Sequence, residues 1–140
     1  MEVHIERKND AVLFEITNAS EAKIMVDGPE DIGGENAGHR PMELILSALA
    51  TCGAFELVEI LKKQRQVLEE MKVQVVGHRL EGPAAKPFSH IDMQFYLTGT
   101  IKRKKAERAL DLAMDKYCSV RASLHPDIQV TYHITINGES

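Results

Sequence analysis

The sequence predicts an α+β fold whose β-sheets bury one face against two helices. Three observations predict it. Short stretches of alternating apolar and polar residues, the period of a half-buried strand, occur before, between and after two stretches of helical spacing. The first helical stretch is apolar on nearly every side. The second carries a single apolar stripe.

Val3 and Ile5, then Val12, Phe14 and Ile16, flank Lys8-Asn9-Asp10 and read as an N-terminal hairpin. Ile24 and Val26 make a third strand, stopped by Asp27-Gly28-Pro29. Gly28 to His39 is rich in glycine and acid, without apolar periodicity, and reads as one long loop. Pro41 suits the first turn of a helix, where its missing N–H has no intrahelical partner, and that helix runs to about Lys63. A polar turn from Gln64 to Glu70 leads into a strand from Met71 to about Leu80. After the Gly82-Pro83 and Pro87 breaks, Ile91, Met93, Phe95 and Leu97 face one way on the return strand of a long hairpin. Ala106, Ala109, Leu110, Ala113, Met114 and Tyr117 place a second helix over about 102–117, and Ile128, Val130, Tyr132, Ile134 and Ile136 form the last strand.

The chain has 140 residues, 44% hydrophobic and 27% charged, the range of one domain spanning 1–140 with a real core. Its 17 basic and 21 acidic side chains leave a net charge of -4, which repels a phosphate backbone, so no nucleic-acid partner is expected. The longest uncharged apolar run, Leu44 to Phe55, has 12 residues, short of the ~20 a spanning helix needs, so no membrane partner is expected. Met1-Glu2-Val3-His4 lacks a secretory pattern, which predicts a cytoplasmic chain in which Cys52 and Cys118 rest as thiols. A helix apolar all round must be surrounded by protein, and a domain this small can hardly wrap it alone. A second subunit is the economical cover.

Most familiar site patterns are missing. Gly33-Gly34 lacks the spacing of a phosphate loop, and Glu30, Asp31 and Glu35 would oppose an anion. His4, His39, His78, His90, His125 and His133 are scattered without metal-ligand spacing, so no metal and no cofactor is assigned. Ser47 lies inside an apolar helix and not on a nucleophile elbow. Lys102-Arg103-Lys104-Lys105 opens the second helix, where cations oppose the macrodipole, and reads first as a solvated turn. Cys52 lies deep in the first helix and Cys118 where the second ends. Folding can bring them together as a redox pair, or each can be a small core residue.

The element order and the residues around both cysteines resemble the OsmC/Ohr family, the osmotically inducible and organic-hydroperoxide-resistance proteins, and within it the YhfA-like branch. The matching pieces are Gly38-His39-Arg40-Pro41-Met42-Glu43-Leu44 through Thr51-Cys52, Val73-Gln74-Val75-Val76-Gly77, Ile91 to Gly99, and Tyr117-Cys118-Ser119-Val120. The resemblance implies antiparallel sheets packed on a long buried central helix and a second helix, in an intertwined homodimer. It also implies a hydroperoxide reductase in which Cys52 attacks the peroxide, Cys118 closes a disulfide, and a dithiol reductant resets the pair. The other reading is a non-enzymatic protein that holds a small hydrophobic ligand in the interface pocket.

The nucleophile of such chemistry is the thiolate, and an ordinary thiol of pKa ~8.5 is mostly protonated at neutral pH. A cation is therefore required, and Arg7, His39 and Arg40 are the candidates. Peroxidase members of the family carry an activating arginine after paired glycines, held by a glutamate directly after the helix's first proline. This chain has Arg7-Lys8-Asn9-Asp10 without the glycines, and Met42 after Pro41. Glu43 lies nine residues before Cys52, and nine steps of about 100° turn it to the opposite side of the helix. Weakened activation of Cys52 is the expectation.

Overall fold

The computed structural model describes all 140 residues, which form two compact units, Met1–Ile45 and Leu46–Ser140. In the first unit, β1 (Val3–Arg7), β2 (Phe14–Asn18) and β3 (Lys23–Val26) make an antiparallel sheet in that order. Ile16 stands between Ile5 and Ile24, so the three share one apolar face. Asparagines build both turns. The Asn9 side-chain carbonyl accepts the Ala11 and Leu13 N–H groups, and that of Asn18 accepts those of Ser20 and Ala22.

The long predicted loop is organised around a buried carboxylate. Asp27 is 1% exposed. Its Oδ1 accepts the Gly28 N–H at 2.8 Å, and its Oδ2 accepts those of Glu35 at 2.9 Å and Ala37 at 3.1 Å. The chain between turns through one 3₁₀ turn, Glu30–Ile32, which ends on left-handed Gly33. A Cβ on Gly34 would collide with the Gly28 carbonyl, so the loop closes only around glycine there.

Helix α1 spans Pro41–Lys63. Pro41 takes its first position, and Glu43 reaches back to accept the Arg40 backbone N–H at 2.7 Å, half of a capping box. The helix is 23 residues long with a mean hydropathy of 1.9 over its most apolar window, enough by length and composition to cross a bilayer. The uncharged run of 12 residues, Leu44 to Phe55, is shorter because Glu56 interrupts it. In the second unit Leu49, Ala50, Gly53, Leu57 and Leu61 of this helix are buried in protein, as on a core helix. Phe55 on the other side is 72% exposed.

Strands β4 (Val67–Arg79) and β5 (Phe88–Thr100) form the long antiparallel hairpin, with Val73 opposite Phe95. Two expectations are corrected here. The predicted turn from Gln64 to Glu70 shortens to 64–66, closed by the Gln66 N–H on the Leu61 carbonyl with Arg65 left-handed. The strand starts at Val67, and its alternation is hidden by a bulge between Leu68 and Glu70. The second correction concerns direction. β6 (Gln129–Ile136) runs parallel to β5, so the sheet β4-β5-β6 is mixed and not purely antiparallel. A parallel return needs a long crossover, and residues 101–128 supply it.

That crossover contains α2 (Arg103–Leu112), a π-helical turn (Ala113–Tyr117) and a short helix α3 (Ser119–Ser123). The predicted second helix is therefore α2 plus the π turn. Helix α3, five residues long, is too short to show a period. Ile91, Met93 and Phe95 of β5 are fully buried with Leu49, Leu57 and Leu61. Burial of that order contributes about 1.5–3 kcal/mol per side chain.

Candidate active site

Cys52 and Cys118 are both free thiols, and the structure brings them into side-chain hydrogen-bond contact. Cys52 comes from the middle of α1 and is half-buried. Cys118, 4% exposed, sits between the π turn and α3. Its Sγ accepts the Arg121 backbone N–H at 3.3 Å. Burial pushes the Cys118 thiol above its ordinary range, and the neighbouring Cys52 sulfur pushes the same way, against the pull of the Arg121 and Val120 N–H groups. Cys118 is thus held neutral beside Cys52.

Arg121 escaped the sequence reading. Its guanidinium donates from Nη2 to the Ile128 carbonyl at 3.0 Å and from Nη1 to the His125 carbonyl at 3.5 Å. No side-chain pattern encodes that, because every partner is backbone or sulfur. The π turn is the other unforeseen element. Such turns are frequent at functional sites, and this one delivers the chain directly to Cys118.

Two of the expected cations, Arg7 and Arg40, have local side-chain partners in the first unit. Arg7 Nε donates to the Ala11 carbonyl at 2.7 Å. Arg40 donates from Nη1 to the Asp27 carbonyl at 3.2 Å and from Nη2 to Asn36 Oδ1 at 2.7 Å. The His39 backbone N–H donates to the Met25 carbonyl at 3.0 Å, beside the edge of β3. Glu43, whose helical position ruled it out as a partner in activation, serves as the cap described above.

The remaining candidates are structural. In the basic run, Arg103 donates to the Ile134 and Glu139 carbonyls, and Lys105 Nζ donates to the Gln64 carbonyl. No group of three histidine, cysteine, aspartate or glutamate side chains is placed to hold a metal ion. His78 and His90 stack at 5.6 Å, and His133 lies 3.6 Å from Asp92. Two cavities accompany these elements. One of about 510 Å³ is lined by Arg103, Asp111, Tyr132 and His133 in the second unit, where burial and two aspartates raise the Tyr132 hydroxyl far above its usual range. The other, of about 340 Å³, is wholly apolar and lies in the first unit between Ile5, Phe14, Ile16, Val26, Pro41 and Leu44.

The family model for OsmC-like proteins matches residues 33–133, a span that includes both cysteines. The chain belongs to the OsmC-like protein family. Protein YhfA of Escherichia coli K12 is 35% identical over 119 residues, covering 82% of this chain and 83% of its own. A protein from Aquifex aeolicus VF5 is 28% identical with a TM-score of 0.79, covering 97% of this chain and 96% of that one. An organic hydroperoxide resistance protein, OsmC, from Legionella pneumophila shares the fold at a TM-score of 0.70 and 15% identity, covering 96% of this chain and 97% of that one. The family's fold in this chain is the α+β arrangement expected from sequence.

Proposed function

We propose that this OsmC-like protein is a thiol-dependent organic hydroperoxide reductase. The observation that carries the reading is the contact between Cys52 and Cys118, residues 66 positions apart that meet as free thiols. The Cys52 thiolate attacks a peroxide oxygen, the O–O bond breaks, and an alcohol leaves with a proton. The resulting sulfenic acid is attacked by the Cys118 sulfur, water leaves, and a disulfide forms. A dithiol then returns both sulfurs to thiols.

A homodimer belongs to this reading, because Phe55 and Val58 leave one side of α1 apolar and exposed in a single chain. Residues 1–140 then act as one OsmC-like domain, in a cytoplasm that keeps the resting thiols reduced. Activation of Cys52 is weak, in line with Met42 and with Arg7 and Arg40 being held by local acceptors. The test is consumption of an organic hydroperoxide with a dithiol reductant. Turnover abolished by Cys52→Ser supports the reading, and equal loss of peroxide with and without Cys52 ends it.

A second reading rests on the 340 Å³ apolar cavity of the first unit and makes the protein a binder of a small hydrophobic ligand. Saturable binding of an apolar fluorophore, insensitive to Cys52→Ser, in a protein without peroxide turnover would favour it.

A further inference from the structure

We propose that a dithiol reductant attacks the Cys52 sulfur of the Cys52–Cys118 disulfide, that Cys118 departs as the leaving thiolate, and that Arg121 is the positioning residue holding the N–H that receives it. The physiological origin of the disulfide rests on the peroxidase reading above.

Thiol–disulfide exchange is governed by access to the attacked sulfur and by stabilisation of the sulfur that leaves. The two sulfurs differ in access, and at Cys118 the burial that disfavours the thiolate is opposed by the Arg121 N–H. Cys118 is enclosed by its own chain, whereas Cys52 is half-buried. Cys118 Sγ already accepts the Arg121 N–H at 3.3 Å, and a hydrogen bond to sulfur strengthens when the sulfur becomes an anion. Nothing comparable is offered to Cys52 from α1, where backbone N–H groups are spent within the helix.

The N–H is held in place by the other end of the same residue. The Arg121 guanidinium bridges the His125 and Ile128 carbonyls, strapping α3 to the segment that leads into β6. Without the strap, five-residue α3 is free to turn its N–H away from Cys118.

In the first step one thiolate of the dithiol bonds to Cys52 Sγ. The Cys52–Cys118 bond breaks, and its electron pair stays on Cys118. In the second, the reductant's other thiolate closes its own disulfide and releases the Cys52 thiolate. The two protons of the dithiol end on the two cysteines, so the reductant loses two electrons and the protein disulfide gains them.

The disulfide is made with diamide, so the experiment needs no peroxide activity. A monothiol, 2-mercaptoethanol, then opens it without completing the second step. Acid quenching, alkylation and peptide mapping locate the adduct. We expect it on Cys52, with Cys118 alkylated, in at least tenfold excess. An adduct mainly on Cys118, an even mixture, or no disulfide with diamide would overturn the proposal. Arg121→Ala should slow opening and reduce the excess several-fold, and Arg121→Lys, which reaches one carbonyl, should restore part of it. Unchanged rate and excess in Arg121→Ala removes Arg121 from the mechanism; should that variant not fold, Arg121→Lys is compared with wild type. Attack at Cys52 in a protein that consumes no hydroperoxide leaves this inference standing and defeats only the peroxidase reading.

Discussion

The position a Cβ on Gly53 would occupy is filled by the Sδ of Met114. Gly53 adjoins Cys52 on α1, and Met114 lies in the π turn that ends at Cys118. The close approach that leaves no room for a side chain at 53 also sets the two thiols against each other. Gly53→Ala gains ~1 kcal/mol of helix propensity, but overpacking of an enclosed site costs ~1–3 kcal/mol. Met114 is buried at mid-chain, not at a free tip, so overpacking wins. The expected result is a stability lowered by about 1 kcal/mol, read as an earlier denaturation midpoint, and slower Cys52–Cys118 disulfide formation. A double-mutant cycle with Met114→Ala should show coupling; additivity would contradict the contact.

The Cys118 thiol, raised chiefly by burial, gives the reduced protein an alkaline weakness. A raised acidic group stabilises fully below its unfolded pKa, about 8.5, and that contribution is lost as pH rises through the folded value. The Tm of wild type should therefore fall more steeply above about pH 8.5 than that of Cys118→Ala. Thermal melts from neutral to strongly alkaline pH compare the slopes, and parallel curves would refute the assignment.

Asp27 has the opposite sign. The N–H groups of Glu35, Ala37 and Gly28, with the Arg40 charge, hold its carboxyl below the usual range despite burial. Its contribution is present above the unfolded carboxyl pKa, near 3.9, and disappears as pH falls through the folded value. Asp27→Asn sets an NH2 donor against at least one of the Gly28, Glu35 and Ala37 N–H groups that the carboxylate accepts. At neutral pH this should open the loop 28–39, read as faster amide exchange at Glu35 and Ala37, while near pH 2 the variant and wild type converge.

Phe55 tests the proposed dimer. At 72% exposure in one chain it has little to do with the core of its own protomer. A charge placed there, Phe55→Glu, should leave the fold intact and yield a monomer by light scattering. A wild type that is monomeric at every concentration would remove the interface altogether.

Alternation made the N-terminal sheet and the β4–β5 hairpin readable, because the period-two pattern of apolar and polar residues is written directly into the stretches around Ile5, Ile16, Val73 and Phe95. The direction of β6 was not, since Val130 to Ile136 alternates identically in either orientation. Asp27 beside Gly28-Pro29 looked like a turn residue. Its work depends on N–H groups up to ten positions away. Of the candidate site, the cysteines were legible from their surroundings, and the structure places them together. Arg121 was not legible, because it acts through its own backbone and two distant carbonyls.

The parallel pairing of β6 with β5 sets an order of assembly. The β4–β5 hairpin joins neighbours in the chain, whereas β6 finds β5 only after the crossover has closed, and closure entropy must be met before those contacts form. Cys118 lies inside that crossover, between the π turn and α3. During synthesis Cys52 is therefore made 66 residues before its partner thiol. On the proposed peroxidase reading, peroxide met in that interval would drive an unresolved Cys52 up the oxidation ladder, whereas the finished protein has the second sulfur already in place.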